Sequence, residues 1–272
     1  MTAASGLASV SARPCWIIDL DGVVYAGEHA LGGAAAAVAA LRRSGRRVAF
    51  LTNNSRSRCE EIRHKLIGLG IPCAAAELLN SAQATARHVR DQGLGEADRA
   101  GVFVIGMPGL CQELVAHGVA LGEPESCGAV VVGIDLEFTY EKLARGLRAL
   151  WRGVPFVICN RDANFPGKGG QLLPGCGAIV AALEAAAQRS PSYEVGKPNP
   201  LMLDLLLDGL QLTRADCVMV GDSLEADILM AERAAVPSIW IGKPERPPGP
   251  PPAIQPTLQA QTLAEAVGMI LS

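Results

Sequence analysis

The 272-residue chain is long enough for one large or two modest domains, and 49% of its residues are hydrophobic while 19% are charged, so it can bury a sizeable core. Its formal net charge of -3 provides no basic surface for nucleic acid, so we expect no nucleic-acid partner. The eight cysteines contain no Cys-x-x-Cys pair and the four histidines are far apart, which argues against zinc and predicts reduced thiols in a cytoplasmic protein. Residues 1–12 lack the features of a secretory signal and no apolar run reaches membrane-spanning length, so we expect no membrane partner.

The first predicted strand, Cys15–Ile18, is a short apolar run that leads into Asp19, Asp21 and Gly22. Residues i and i+2 of a strand point the same way, so the two carboxylates would project together at the carboxyl end of the strand. Close carboxylates repel each other unless a cation or a shared proton relieves them. Taken alone, however, the pair is better explained as a polar strand end with a capping aspartate.

Strand and helix patterns then alternate, which predicts a parallel sheet with right-handed crossovers. The next predicted elements are a helix over 33–43, a buried strand over 47–51 and an amphipathic helix over 58–69. Three small polar residues, Thr52, Asn53 and Asn54, follow the second strand. Such a cluster before a helix is usually a cap, although helix N-termini also bind phosphate with these groups.

The middle of the chain has a second α/β pattern, which we interpret as a unit inserted into the first. Its apolar runs of strand length cover residues 102–105, 129–133 and 155–159. Helical patterns separate these runs, and the polar, glycine- and proline-containing residues 160–170 predict a loop on the rim of this unit.

The first pattern returns after residue 192. The predicted elements are a helix over 201–207, strands over 217–220 and 237–241, a stiff proline-rich connector over 247–252 and a closing helix over 263–271. Lys197 precedes the first of these helices, and Asp222 follows the strand over 217–220. Lys197 alone could be a surface lysine, since Gly-Lys-Pro occurs again around Lys243, but Lys243 lies beyond the last acidic motif and against the prolines.

The polar residues at Asp19, Asp21, Thr52, Lys197 and Asp222 all lie at or just beyond the carboxyl ends of predicted strands. This rim is where open parallel sheets bind ligands. Three carboxylates with few histidines favour a hard cation with oxygen ligands, which points to Mg2+. Carboxylates, a hydroxyl, a lysine and Mg2+ around one point would form a phosphoryl-transfer site.

Four motifs in this order resemble those of the haloacid dehalogenase superfamily of phosphatases, and more narrowly its NagD-like branch, which includes 4-nitrophenylphosphatase, phosphoglycolate phosphatase and pyridoxal phosphatase. They are Asp19-Leu20-Asp21-Gly22-Val23, Leu51-Thr52-Asn53-Asn54-Ser55, Gly196-Lys197-Pro198 and Gly221-Asp222-Ser223-Leu224-Glu225-Ala226-Asp227. The resemblance covers nearly the whole chain and implies an α/β fold. A Rossmann-like core with a parallel sheet would comprise residues 14–84 and 192–272, with an inserted α/β cap of the C2 type over 85–191.

The resemblance also implies a Mg2+-dependent phosphatase of small phosphomonoesters that is active on 4-nitrophenyl phosphate and works through a covalent aspartyl-phosphate. Asp19 would be the nucleophile and Asp21 the general acid and base. Mg2+ would be held by the carboxylates of Asp19 and Asp222 and by the backbone carbonyl of Asp21. Asp227 would orient these ligands without contacting the ion. The implied phosphate-binding residues are Thr52, Asn53, Asn54 and Lys197.

Substrate selectivity is expected in the cap loop 160–166, through Asp162, Asn164 and Phe165, because the core motifs read only the phosphate. The competing explanation is a solvated turn with Phe165 tucked into the cap core. Phe165 stands where the pyridoxal phosphatase pattern has a histidine, which argues against vitamin B6 phosphate. Phosphoglycolate, glycerol phosphate or a sugar phosphate is therefore the expected small-molecule partner.

Three other classes of protein remain. A phosphorelay receiver also combines acidic residues, Mg2+, a threonine and a lysine, but it needs no hundred-residue insertion. A phosphomutase of the same superfamily would reuse the chemistry, whereas a non-catalytic phosphometabolite-binding protein would be expected to lose an acidic motif residue, and none is missing.

Relatives that dimerise through the cap make a homodimer plausible.

Overall fold

The computed structural model describes residues 3–94, 100–167, 171–242 and 254–271, which form two compact units. The first unit comprises Met1–Thr52, Arg63–Leu78 and Pro198–Ser272, and the second comprises Asn53–Ile62 and Leu79–Lys197. The predicted division into a core over 14–84 and 192–272 and a cap over 85–191 stays a prediction. Lys243 and the proline-rich connector predicted over 247–252 lie outside the described residues.

The first unit is organised around a six-stranded sheet. In spatial order its strands are β14 (Leu258–Ala260), β13 (Ser238–Ile241), β12 (Cys217–Gly221), β1 (Cys15–Ile18), β4 (Arg47–Thr52) and β5 (Leu78–Asn80), of which Leu79 and Asn80 are assigned to the second unit. The central strand β1 pairs in parallel with both β12 and β4, so that Cys15 lies opposite Cys217 and Arg47. All four residues of β1 are buried, as expected for a strand covered on both faces of a parallel sheet.

The helices assigned to this unit follow the predicted alternation. They are α1 (Ala3–Ser11), α2 (Ala34–Arg43), α3 (Cys59–Gly68), which begins in the second unit, α8 (Leu201–Gly209), α9 (Leu229–Arg233) and α10 (Leu263–Leu271). In α2 the alanines favour the helix and two arginines in the last turn complement its dipole. The sequence did not predict α1 or the hairpin of β2 (Tyr25–Ala26) and β3 (His29–Ala30).

The second unit has its own four-stranded parallel sheet. Its spatial order is β11 (Tyr193–Glu194), β8 (Phe156–Ile158), β7 (Ala129–Val132) and β6 (Val102–Ile105). The helices of this unit are α4 (Ser81–Asp91), α5 (Pro108–Ala116), α6 (Tyr140–Trp151) and α7 (Cys176–Ala187). The three predicted strands of the inserted unit are confirmed, and β11 adds an edge that is too short to show a sequence pattern.

The prediction of a continuous loop over 160–170 is wrong in part. Residues Asn164–Pro166 form β9, which pairs antiparallel with β10 (Leu172–Pro174) and sets Phe165 opposite Leu173. Proline and glycine have low strand propensity, so the sequence of this stretch did not predict the two short strands, which are stabilised by pairing with each other. Within the described parts of the chain, we find no helix with the length and apolar character needed to cross a membrane.

Candidate active site

The side chain of Asp19 lies at the carboxyl end of β1, where it is 6% exposed. Its backbone N–H donates to the carbonyl of Val220 at 2.8 Å, which continues the pairing of β1 with β12 beyond the last strand residue. The carboxylate is therefore carried on main chain that two neighbouring strands hold, and its position depends on the sheet rather than on a free loop.

The chain turns sharply immediately after Asp19. The carbonyl of Leu20 accepts hydrogen bonds from the N–H groups of Val24 and Tyr25 at 2.9 and 3.2 Å, and Gly22 donates back to the carbonyl of Tyr25 at 2.9 Å. Gly22 has a φ of 83°, a conformation that L side chains rarely adopt. This turn leaves Asp21 exposed while Asp19 stays buried, so the two aspartates have different environments.

Asp222 follows β12 and lies directly against the turn. A Cβ atom added to Gly22 would lie 2.0 Å from Oδ2 of Asp222, so only glycine leaves room for this carboxylate. The indole Nε1 of Trp240, on β13, donates to the main-chain carbonyl of Asp222 at 2.8 Å. The loop that carries Asp222 is thus hydrogen-bonded to β13 on one side and lies against the Gly22 turn on the other.

Asp227 comes from a π-helical turn, Leu224–Ile228, that precedes α9. Its Oδ2 atom accepts a hydrogen bond from the backbone N–H of Ser223 at 3.1 Å, and its side chain is 1% exposed. Its Cγ lies 2.2 Å from the position that a Cβ of Gly221 would occupy. The wide turn and the second glycine bring the Asp227 carboxylate back beside the end of β12.

Asp19, Asp222 and Asp227 each offer a carboxylate oxygen, and these atoms all lie within 4.8 Å of one another. Three ionised carboxylates this close repel each other strongly unless a cation or protons compensate them. Oxygen-only donors suit a hard divalent ion, so this acidic group fits the Mg2+ that the sequence predicts. Asp227 belongs to the group itself, and the roles predicted for Asp19, Asp21, Asp222 and Asp227 stay predictions.

Thr52 is the last residue of β4 and is 3% exposed. Because β4 pairs in parallel with β1, Thr52 ends its strand on the same edge of the first unit's sheet as Asp19. Its predicted part in phosphate binding stays a prediction.

In the second unit, the main chain of Lys197 is held by the side chain of Asn53. Oδ1 of Asn53 accepts from the Lys197 N–H at 2.9 Å, and Nδ2 donates to the Lys197 carbonyl at 3.0 Å. Lys197 is 2% exposed, which argues against the surface lysine considered above. The amide side chain of Asn53 therefore has a defined main-chain partner, and the predicted binding of phosphate by Asn53 and Lys197 is not tested by these contacts.

The carbonyl oxygen of the Asn54 side chain accepts from the backbone N–H groups of Arg56 and Ser57 at 2.9 and 3.1 Å. This is the local turn-forming use of asparagine that competes with ligand binding as an explanation of the cluster. The predicted role of Asn54 in phosphate binding stays a prediction.

The predicted selectivity residues Asp162, Asn164 and Phe165 lie in the second unit after β8. Oδ1 of Asp162 accepts from Nδ2 of Asn53 at 3.0 Å, so Asp162 lies beside the residue that holds Lys197. Asn164 is exposed and Phe165 is half-buried within the β9–β10 ribbon. The guanidinium of Arg161 bonds Glu184 and Glu194, which anchors the start of this loop to α7 and β11.

Two family models match the chain, a haloacid dehalogenase-like hydrolase model over residues 16–120 and a HAD-hydrolase-like model over residues 194–266. An acid sugar phosphatase from Staphylococcus saprophyticus is 34% identical over 226 residues, which cover 83% of this chain and 85% of the relative. The chain belongs to the haloacid dehalogenase-like hydrolase family.

Solved structures agree with this assignment. The 4-nitrophenylphosphatase of Thermotoga maritima is 28% identical, with a TM-score of 0.85 over 97% of this chain and 99% of that one. A protein assigned to NagD is 28% identical, with a TM-score of 0.83 over 94% of this chain and 97% of that one. The predicted family, its NagD-like phosphatase branch and the α/β fold with a parallel sheet are confirmed, and this hydrolase is an enzyme of that branch.

Sequence reasoning did not single out two residues, one in each unit, that hold the main chain of predicted site residues. Nδ2 of Asn160, which is 2% exposed, donates to the main-chain carbonyl of Asn53 at 2.7 Å, and Trp240 holds the main chain of Asp222. Asn160 had a signal, because it is the first polar residue after a buried strand. Trp240 had none, since a tryptophan in an apolar strand is typical of a core residue.

Proposed function

We propose that this chain is a Mg2+-dependent phosphatase that hydrolyses small phosphomonoesters through an aspartyl-phosphate on Asp19. The observation that carries the proposal is the acidic group of Asp19, Asp222 and Asp227, whose carboxylate oxygens lie within 4.8 Å of one another at the ends of adjacent parallel strands. Membership of the family supports the same chemistry, because the similar 4-nitrophenylphosphatase and acid sugar phosphatase are both phosphatases by name.

In the first half of the reaction, a carboxylate oxygen of Asp19 attacks phosphorus and the bond from phosphorus to the leaving oxygen breaks. Asp21 gives its proton to that oxygen, so the alcohol leaves neutral. The exposure of Asp21 supports this role, because a proton donor that must be reloaded needs access to solvent, whereas the buried Asp19 suits a nucleophile.

In the second half, Asp21 takes a proton from water as the water oxygen attacks phosphorus, and the bond between Asp19 and phosphorus breaks to release inorganic phosphate. Bound Mg2+ supplies charge neutralisation for the phosphoryl oxygens, with Asp19, Asp222 and the backbone carbonyl of Asp21 as its proposed ligands. Lys197 contributes the second positive charge, and Thr52 donates its hydroxyl to a phosphoryl oxygen.

The proposed substrate is a sugar phosphate or another small phosphate ester such as phosphoglycolate or glycerol phosphate. The name of the Staphylococcus saprophyticus relative supports the sugar phosphate among these. We assign the choice of leaving group to Asp162, Asn164 and Phe165. The half-buried ring of Phe165 offers an apolar face but no hydrogen bond, which disfavours the polar pyridine ring of vitamin B6 phosphate.

We also propose that the enzyme forms a homodimer through its second unit and works in the cytoplasm. Tyr140 and Trp151, at the two ends of α6, are 84% and 76% exposed, and two exposed aromatic side chains on one helix support an interface there. None of the eight cysteines, all of which are described, forms a disulfide, which supports a reducing compartment. Light scattering would measure the mass in solution, and a monomer at micromolar concentration would contradict the dimer.

The central experiment measures phosphate release from a panel of phosphomonoesters with Mg2+, using the wild-type enzyme and Asp19→Asn. The variant keeps the size of the side chain but removes the nucleophile, so we expect kcat to fall by several orders of magnitude with the fold intact. Quenched wild-type enzyme should carry an acid-stable phosphate that the variant lacks, and a folded variant with a tenth of wild-type activity would refute the proposal.

A further inference from the structure

The carboxamide of Asn53 makes a two-point clamp on one residue of the chain. Its Oδ1 atom accepts from the N–H of Lys197 at 2.9 Å while its Nδ2 atom donates to the carbonyl of the same residue at 3.0 Å. The same nitrogen donates to Oδ1 of Asp162 at 3.0 Å. One side chain thus joins the lysine of the third motif to the loop that we assign to substrate selectivity.

We propose that Asn53 is a positioning residue that sets the main chain of Lys197 and couples it to Asp162. The inference rests on the proposed function, because it concerns how the lysine is aimed in phosphoryl transfer. It assigns the side chain of Asn53 to Lys197 rather than to the substrate phosphate.

The carboxamide is the group that this position requires. An aspartate would keep the acceptor for the Lys197 N–H, but it would replace both donors with oxygen and face the Asp162 carboxylate with like charge. An alanine would leave the N–H and carbonyl of Lys197 without these bonds, and Lys197 is 2% exposed, so water is poorly placed to replace them.

Neighbouring main chain leaves little room for Lys197 to adopt another position. A Cβ atom on the preceding residue, Gly196, would lie 2.2 Å from the carbonyl oxygen of Cys159 and 2.8 Å from Oδ1 of Asn53. The segment is therefore confined between the end of β8 and the asparagine. A small displacement of the main chain in this segment would move the whole lysine side chain.

Asn53 is itself held by the same loop. Its main-chain carbonyl accepts from Nδ2 of Asn160 and from Oγ of Ser81, each at 2.7 Å. Oδ1 of Asn160 in turn accepts from the N–H of Asp162 at 3.1 Å. Asn53, Asp162 and Asn160 thus close a ring of hydrogen bonds. The ring gives the selectivity loop a direct mechanical connection to Lys197.

A double-mutant cycle between Asn53→Ala and Lys197→Ala tests the inference with 4-nitrophenyl phosphate and Mg2+. If Asn53 acts through Lys197, Asn53→Ala should lower kcat/KM by about 10-fold to 100-fold in the wild-type background and by less than about 3-fold when Lys197 is already alanine. Asn53→Ala should also raise the inhibition constant of inorganic phosphate, as Lys197→Ala does.

Asn80→Ala is the matched control. Asn80 is a fully buried asparagine of the same unit whose carboxamide also bonds main chain, at Gln83 and Ser57, without contacting Lys197. Its effect on kcat/KM should be equal in both backgrounds, which separates general loosening of the unit from an effect carried by the lysine. Should Asn53→Ala fail to fold, Asn53→Ser, which removes the Nδ2 donor without adding a charge beside Asp162, takes its place with the same expected non-additivity.

Equal losses from the Asn53 variant in the two backgrounds would overturn the inference and favour direct contact with phosphate or a purely structural role. An unchanged kcat/KM in the single variant would overturn it as well. These failures leave the proposed function intact, because the wild-type enzyme is active in both. Wild-type enzyme without phosphatase activity on any phosphomonoester would instead overturn the proposed function and this inference together.

Discussion

Replacing Gly22 with alanine would test whether the acidic group does what we propose. Gly22 has a φ of 83°, and an alanine Cβ would lie 2.0 Å from Oδ2 and 2.6 Å from Cγ of Asp222. The carboxylate oxygen would have to retreat by about 1.4 Å to regain an ordinary contact of 3.4 Å. That movement would take Asp222 out of its arrangement with Asp19 and Asp227.

Gly45 supplies a control that is matched in backbone conformation. It also has a φ of 83°, but a Cβ there would meet nothing within 4 Å. Alanine in this left-handed conformation costs roughly 1–2 kcal/mol, so both variants should lose a similar part of their stability from the backbone. Only Gly22→Ala displaces a carboxylate, and a displacement of about 1 Å in a catalytic arrangement can lower a rate by about 100-fold.

The assay is hydrolysis of 4-nitrophenyl phosphate over a titration of Mg2+, with urea unfolding of each variant alongside. We expect Gly22→Ala to lose about 100-fold in kcat/KM and to need about 10-fold more Mg2+ for half-maximal rate, while Gly45→Ala retains wild-type values for both. If the two variants show the same Mg2+ dependence and the same rate, the acidic group does not hold the ion and our reasoning about Asp222 is wrong.

Three further outcomes are expected. Treatment with EDTA should abolish turnover and Mg2+ should restore it, with Ca2+ a poor substitute because its larger, looser coordination misplaces the nucleophile; full activity of metal-free enzyme would contradict this. Replacing Phe165 with histidine or alanine should change kcat/KM ratios across a substrate panel by about 10-fold or more at an unchanged Mg2+ requirement, and constant ratios in both variants would locate selectivity elsewhere. Burial raises the pKa of the Cys159 thiol to about 12, so above about pH 9 this thiol ionises in the unfolded chain but not in the folded one. The free energy of unfolding that the neutral buried thiol contributes is therefore fully present below about pH 9 and is lost as the pH rises from about 9 towards 12. Urea unfolding at pH 8 and 10 should therefore show a loss of about 1.4 kcal/mol in total from this thiol, absent in Cys159→Ala, and equal losses in the two proteins would count against it.

The sheet that carries the site could be predicted because its information is local. Strand β1 is a four-residue apolar run, and a buried parallel strand needs little more than such a run to be recognised. The order of strand and helix then predicts parallel pairing, so the positions of Asp19 and Asp222 beyond the ends of two strands followed from patterns in the sequence alone. That these two strands are direct neighbours is a result of the structure.

The finer geometry depends on bonds that leave no local pattern. Asn53 and Lys197 are 144 residues apart, and the small polar residues Thr52, Asn53 and Asn54 at the end of β4 look alike in the sequence. In the structure Asn54 closes its own turn, whereas Asn53 bonds the distant segment at Lys197. The place of Asp227 in the acidic group depends on a π-helical turn, a rare conformation that helix periodicity does not predict.

The acidic group also bears on the stability of the fold. Its three aspartates are carried on main chain that is hydrogen-bonded through Val220 for Asp19, Trp240 for Asp222 and Ser223 for Asp227. The main chain therefore keeps the three side chains close together, and repulsion between their ionised forms opposes folding when no cation is bound. A chain with an amide in place of one carboxylate would relieve that repulsion and lose affinity for the cation. Three close carboxylates are therefore expected of a site that binds a cation in a fixed arrangement, even though they lower the stability of the metal-free fold.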